Sequence, residues 1–314
     1  MSATSALDFS VEMQALTAAI EQWIERCDQE LHDALRWQFL SGSKYFRPLT
    51  IFSCWRAMRS GDVTPEVIEA ALLIELFHNV SLVVDDIVDM SDERRGRLTL
   101  HKKFGQLHAF MTSGYVVADG FHKAAADPGL TELLAELLKR LAVAECMQWR
   151  LRRRPQGFED WRIIAGEDTG SMFEVAACLG DRTQRLRRFG GLLGLLYHGC
   201  DDVADVRGTT ALGGGGFDDL RDGILTLPAA LAIADPAVAR AFADPNAVPG
   251  EDQIPFLAEA FRAKLPEAEA CLDRIAEEAR TEARLFAADP RPLVALVERT
   301  RTLSGASESV CRAR

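Results

Sequence analysis

ELFHNVSLVVDDIVDMSDERRG, residues 75–96, is an almost uniformly apolar run that ends in three carboxylates, Asp85, Asp86 and Asp89. At about 100° per residue, His78, Leu82, Asp85 and Asp89 fall on one stripe of a helix. Carboxylates at the end of a buried helix are costly unless something pairs with them, so the stripe reads as a site. Asp85 and Asp89, one turn apart, can reach the same hard cation. Mg²⁺ is typically held by one or two carboxylates, with phosphate oxygens and water completing its shell. Arg94 and Arg95 follow closely, and guanidinium groups grip phosphate oxygens bidentately. Carboxylates for a metal and arginines for phosphate imply a diphosphate between them.

A second copy supports this reading. Tyr197 to Val206, YHGCDDVADV, repeats the spacing with Asp201, Asp202 and Asp205, again after an apolar run punctuated by glycines. His198, Asp201 and Asp205 share a stripe. Two such helices facing each other would give a cleft with an acidic patch on either wall. Gly190, Gly191, Gly194 and Gly199 would let neighbouring helices approach the second motif closely.

Upstream, Thr64-Pro65-Glu66 is a strong helix start, with a capping Thr, Pro in the first turn and an acid beside it. The helix it opens is apolar nearly all round, as expected in the middle of a bundle. In SGSKYFRPL, residues 41–49, Gly42 ends one helix and Pro48 begins another, leaving Lys44 and Arg47 either as an anion site at a helix N-terminus or as two exposed basic residues in a turn, the reading this stretch favours by itself. Residues 11–40 carry apolar groups at spacings of three and four, a helix or helical pair with Ser10 as N-cap.

Downstream, LTLHKKFGQLH reads as a loop, and residues 107–150 as two helices split at Asp127-Pro128-Gly129. The run Arg150, Arg152, Arg153, Arg154 reads as a solvated helix end. Asp160 is placed as the cap of a helix closed by Gly180, with Asp168 and Thr169 on its apolar side. The run Gly213 to Gly216 lacks a phosphate-loop signature and reads as a flexible flap. Helices continue to about Thr302, and the tail from 304 to 314 is expected to be disordered. No strand pattern of period two is evident, so the fold class is all-α, in a single domain of 314 residues.

Composition bounds the function. With 48% hydrophobic and 26% charged residues, the chain carries enough apolar material for a large core. Its net charge of −11 argues against a nucleic-acid partner. An anionic substrate must therefore be drawn in by metal and local arginines. Seven cysteines, an odd number with no CxxC spacing, suggest neither a disulfide framework nor a zinc site. The N-terminus MSATSALDFSVEMQ has neither a basic nor an apolar leader region, and no uninterrupted apolar run appears long enough to cross a bilayer. The expected location is the cytoplasm.

Over residues 40–300 the chain resembles the trans-isoprenyl diphosphate synthases, the polyprenyl synthetase family. The resemblance rests on five motifs in order: SKYFRPL, HNVSLVVDDIVDMSDERRG, EDTGSMFE, YHGCDDVAD and DLRDGILTLP. It implies an all-α helical bundle of the isoprenoid-synthase type around a central cleft, a homodimer, and a Mg²⁺-dependent prenyltransferase. Such an enzyme condenses an allylic prenyl diphosphate with isopentenyl diphosphate. By the same resemblance Asp85, Asp89, Asp201 and Asp205 hold the metal, and Asp86, Asp202, Arg94 and Thr169 join them in catalysis. Lys44, Arg47, His78 and Arg95 take the second diphosphate, while Arg94 and His198 contact the allylic substrate.

Three positions depart from the family pattern. The lysine before Thr169 is Asp168, the lysine before the TLP segment is Ile224, and a glutamine is His198. Both lysines normally hold the allylic diphosphate. Product length would be set along the first acidic helix, where Val80 and Ser81 are small and Phe77, about 12 Å below Asp85, is the candidate floor. A C20 product is favoured. The alternative reading is a class I terpene cyclase, or a specialised prenyltransferase of the same fold, that ionises an allylic diphosphate.

Overall fold

A computed structural model describes residues 7–40, 42–59, 61–208, 218–243 and 253–305 of the chain. The glycine run 213–216 and the tail beyond Gly305 lie outside the described residues. Helices make up nearly all of the secondary structure among the described residues, in agreement with the all-α expectation. The exception is a two-residue ribbon, β1 (Glu93–Arg94) paired antiparallel with β2 (Arg97–Leu98). Its connection is Arg95-Gly96, with φ of 56° and 72°. Positive φ at both central residues is the two-residue hairpin turn whose twist matches that of the strands.

The residues group into two compact units, each drawn from separate stretches of chain. The first comprises residues 1–138, 175–187 and 286–293. It contains α1 (Ser10–Arg26), α2 (His32–Phe39), α3 (Phe46–Met58), α4 (Pro65–Val88), α5 (Leu100–Phe104), α6 (Gln106–Ala124) and the first part of α7 (Pro128–Leu151). Every residue of α4 from Ala70 to Val80 is buried. That helix is long and apolar enough to cross a membrane, with mean hydropathy 1.8, which corrects the expectation that no such run exists. Since 72% of the apolar window is buried within the protein, the helix has the character of a core element. Two glycines allow tight packing here. A Cβ on Gly120 of α6 would lie 2.7 Å from the Phe77 ring, and one on Gly180 would lie 2.4 Å from the Ile51 carbonyl oxygen. The stretch 286–293 is tied in by the Asp289 N–H, which donates to the Ala57 carbonyl at 2.9 Å.

The second unit comprises residues 139–174, 188–285 and 294–314. Its principal described elements are the rest of α7, α8 (Phe158–Ala165), a π-helical turn (Gly166–Gly170), the start of α9 (Ser171–Asp181), most of α10 (Arg187–Arg207) and α11 (Asp218–Asp222). They continue with α12 (Leu227–Ala232), α13 (Pro236–Phe242), α14 (Gln253–Ala263), most of α15 (Leu265–Phe286) and α16 (Arg291–Arg301). The glycine expectation holds on α10. A Cβ on Gly194 would fall 2.7 Å from Gly170 Cα, and one on Gly199 2.7 Å from a Leu272 methyl group.

Several boundaries differ from the sequence reading. Ser10 is the first residue of α1 and Phe9 its N-cap, and the Asp8 carboxylate accepts from Ser10 N and Oγ. Asp160 sits inside α8 and accepts from the Gly157 N–H at 3.1 Å, one half of a capping box. The stretch read as a loop at 98–108 holds α5 and the start of α6. Thr64 has the extended backbone of a cap but makes no side-chain capping bond. The arginine run is not simply solvated. Arg153 adopts a left-handed φ of 56°, its N–H donates to Gly223 O at 2.8 Å, and its guanidinium donates to Arg221 O.

Candidate active site

In the first unit, α4 carries a polar ladder toward its neighbours. Asp86 is buried and accepts a hydrogen bond from Arg94 Nε at 2.7 Å. Burial raises the Asp86 carboxyl above its usual range, and the Arg94 guanidinium opposes that rise. Asp85 and Asp89 are half-buried, so the carboxylate end of the stripe read from the sequence is accessible, while Asp86 is turned away from it. The β1–β2 hairpin brings Arg94 back to α4. Arg94, Arg95 and Arg97 line one pocket with Asp86, Gln38 and Trp37. Arg97, which the sequence reading passed over, lies 3.6 Å above the Trp37 ring.

Two turns earlier, Arg47 Nη1 lies 3.1 Å from His78 Nε2. A guanidinium only donates, so Nε2 accepts and Nδ1 carries the proton. His78 is 8% exposed, and its Nδ1 meets no acceptor among the described residues. Burial, reinforced by Arg47, Arg95 and Arg94, holds the imidazole well below its usual pKa and therefore neutral. Glu75 extends the ladder. Its carboxylate accepts from Ser43 Oγ at 3.3 Å, and burial pushes its pKa to about 7. Ser43 Oγ in turn accepts from Tyr45 N at 3.4 Å, where Tyr45 is left-handed at φ 53°. This contact shapes the strap that carries exposed Lys44 and half-buried Arg47. Val80 is buried and Ser81 half-buried, its hydroxyl returning to the His78 carbonyl. Phe77 is 1% exposed, edge-on to Phe121 at 5.5 Å.

In the second unit the middle aspartate is again the buried one. Asp202 Oδ2 accepts from Trp161 Nε1 at 2.8 Å and from Leu227 N, the first residue of α12, at 2.7 Å. A carboxylate at a helix N-terminus satisfies orphan N–H groups and complements the dipole. Burial nevertheless raises its pKa. Asp201 and Asp205 are half-buried. Asp205 shares a pocket with Asp219. Burial, together with the carboxyl of Asp205 hydrogen-bonded to it, pushes Asp219 well above the carboxylate range. Asp219 was not among the expected site residues.

The π turn presents Thr169. Its Oγ1 donates to Asp168 Oδ2 at 3.2 Å and lies 2.9 Å from His198 Nδ1. His198 is flanked by two carboxylates, Asp168 and Asp202, each at 3.7 Å. A π turn inserts one extra residue into a helix and is often found at functional sites. Here Arg140 braces it, reaching Glu167 through Nε and Nη2 at 2.7 and 3.0 Å and Glu174 through Nη1 at 2.7 Å. The structure thus groups Lys44, Arg47, His78 and the first acidic motif in one unit, and Asp168, Thr169, His198 and the second motif in the other.

The donor set suits a hard divalent cation. Each motif offers two half-buried carboxylates one turn apart, and Asp205 and Asp219 are a carboxyl pair that cannot both ionise cheaply without a cation beside them. Among the described residues no three His, Cys, Asp or Glu side chains converge into a closed cage.

A sequence profile of the family described as polyprenyl synthetase matches residues 28–248. The chain is 28% identical over 226 residues to geranylgeranyl pyrophosphate synthase 4 of Arabidopsis thaliana, covering 65% of this chain and 60% of that protein. It is 26% identical over 243 residues to nonaprenyl diphosphate synthase of Mycobacterium tuberculosis, covering 72% of each. In fold it is similar to the crystal structure of heptaprenyl diphosphate synthase from Staphylococcus aureus. That match has a TM-score of 0.86 at 23% identity over 95% of this chain and 98% of the other.

Proposed function

Because the chain belongs to the polyprenyl synthetase family, we propose that it is a Mg²⁺-dependent prenyltransferase joining an allylic diphosphate to isopentenyl diphosphate. Its product is a linear all-trans prenyl diphosphate, and it acts in the cytoplasm as a homodimer. The observation that carries this reading is the doubled device. Each unit pins the middle aspartate of its motif as a buried acceptor and leaves the outer two on an accessible face. Asp85, Asp89, Asp201 and Asp205 would hold Mg²⁺, which when bound neutralises charge developing on the departing diphosphate.

The chain's own residues do the rest. Asp86 fixes Arg94, so that its remaining N–H groups are preorganised for a phosphate oxygen. The allylic C–O bond breaks with its electron pair going to the departing diphosphate, the alkene electrons of isopentenyl diphosphate form the new C–C bond, and the proton lost as the new double bond forms passes to that released diphosphate. Lys44, Arg47 and Arg95 take the diphosphate of isopentenyl diphosphate. Neutral His78 supports them with a buried Nδ1–H that is left to donate to a ligand oxygen. Thr169 Oγ1 donates its hydrogen bond to Asp168 and is left to accept one from His198 Nδ1. Phe77, closed in by Gly120 and Phe121, is the floor of the product channel, which favours C20.

The experiment is product analysis of the purified protein with Mg²⁺ and dimethylallyl, geranyl, farnesyl or geranylgeranyl diphosphate, each with and without isopentenyl diphosphate. A C20 diphosphate that forms only with isopentenyl diphosphate present is the expected result. A longer product removes Phe77 as the floor. A hydrocarbon or alcohol formed without isopentenyl diphosphate replaces the synthase with a cyclase, the reading that Asp168 and Ile224 favour.

A further inference from the structure

The second unit contains a pocket lined by Gln148, Leu151, Arg152, Ile164, His198, Ile224 and Leu225. Two of these, His198 and Ile224, are positions where the chain departs from its family, and the third departure, Asp168, lies 3.7 Å from His198. The chain has therefore removed two ammonium groups from the wall expected to hold the allylic diphosphate, and at one of those positions it has put an acid. A diphosphate cannot be held by that wall unless a cation is supplied from elsewhere.

Arg152 is in the right place, and the local backbone explains how it got there. Arg153 is forced left-handed, and its N–H and guanidinium bond to Gly223 O and Arg221 O. Gly223, itself at φ 70°, leaves room for this contact, since a Cβ there would sit 2.3 Å from Arg153 Cγ. The clasp fixes the end of α7 against residues 221–224, so Arg152 and Ile224 line the same pocket. The Arg152 guanidinium also lies 4.4 Å above the Trp149 ring, which limits its rotamers.

We propose that Arg152 is the cation that binds the allylic diphosphate on the second-motif wall, in place of the two lysines absent at positions 168 and 224. The proposal rests on the prenyltransferase reading but can fail separately from it. Arg152 lines the pocket just past the end of α7, and a guanidinium has the planar fork of N–H donors that suits phosphate oxygens, where a lysine has a single point charge. It also gives the arginine run a role that its composition alone does not suggest.

The test uses the full chain and two readouts, calorimetric binding of inorganic pyrophosphate in Mg²⁺ and the two Michaelis constants. Arg152→Gln is expected to weaken pyrophosphate binding and raise KM for the allylic diphosphate by about 10- to 100-fold, the loss of one charge-assisted contact. KM for isopentenyl diphosphate stays within about twofold. Arg152→Lys, which keeps the charge, retains most of the binding. Adding Ile224→Lys to Arg152→Gln returns an ammonium to the same pocket and restores at least half of the lost affinity on a logarithmic scale. The proposal is overturned if Arg152→Gln binds pyrophosphate like the wild type, if both Michaelis constants rise together, or if a folded double variant shows no recovery. Should the wild type make no prenyl diphosphate, the prenyltransferase reading fails while pyrophosphate binding still decides the role of Arg152.

Discussion

The middle and outer aspartates of each motif differ in what they touch, and that difference sets what substitution does. Asp202→Ala would leave the Trp161 indole N–H and the Leu227 N–H buried without an acceptor. Losing them is expected to cost on the order of 2–4 kcal/mol of stability, read by urea denaturation. Asp201→Ala, at a half-buried position, is expected to change stability by about 0.5 kcal/mol or less while abolishing turnover. A similar stability loss in both variants would refute the division of labour. Glu75 gives a prediction in pH. Its folded pKa of about 7 lies above the ordinary 4.5 of a glutamate, so the folded state holds a proton that the unfolded state has released across that window. Stability contributed at this site is present below pH 4.5 and lost as pH rises to 7, by an amount on the order of 3 kcal/mol. Glu75→Gln should therefore flatten the decline, and urea midpoints for the two proteins at pH 5, 6, 7 and 8 would show it. At this scale the helical stripe already separated Asp86 from Asp85 and Asp89. What it could not show is the partner, because Arg94 sits on a two-residue ribbon closed by a turn at Arg95 that asks a non-glycine residue to adopt positive φ.

Among the elements, α10 and the π turn before α9 matter most to the candidate site. The glycines of α10 were legible as points of close approach, and Gly194 against Gly170 is that contact. Gly194→Ala puts a methyl group 2.7 Å from a backbone Cα and 3.0 Å from the Phe173 Cβ. Overpacking of this kind typically costs about 1–3 kcal/mol. It is also expected to lengthen the 2.9 Å contact between Thr169 and His198, so kcat falls along with the melting temperature. A variant that melts lower with unchanged kcat would disconnect the packing from the chemistry. The π turn itself was not legible. GEDTG carries no proline and no cap, and what holds the extra residue is Arg140, contributed from α7 more than 25 residues upstream. Likewise α5 was read as a loop because five residues are too few for a periodic signal.

For the whole molecule, order along the chain and order in space diverge. A sequence without linkers is expected to form one domain, and its residues group into two compact units whose pieces alternate along the chain. Local pattern is silent on this grouping, since pairings such as Gly180 with Ile51 and Asp289 with Ala57 join residues more than a hundred positions apart. The proposed homodimer belongs at this scale too. Leu107, Phe110 and Met111 stand on one face of α6 with 75%, 45% and 59% exposure. A second copy would cover an apolar patch of that kind. Light scattering after size exclusion is expected to give twice 34.6 kDa, and a monomer mass at micromolar concentration would sink the dimer. The interleaving also bears on how the protein is made. The first unit needs residues 286–293, which dock on α3 through Asp289, before it is complete. A ribosome adding about 5–20 residues per second needs about 10–40 s to travel from the end of α4 to that stretch. Throughout that interval α4 is already flanked by α1, α3 and α6, all synthesised by residue 124, while the side of α3 that receives Asp289 waits for the last part of the chain, so completion of the first unit is tied to the end of synthesis.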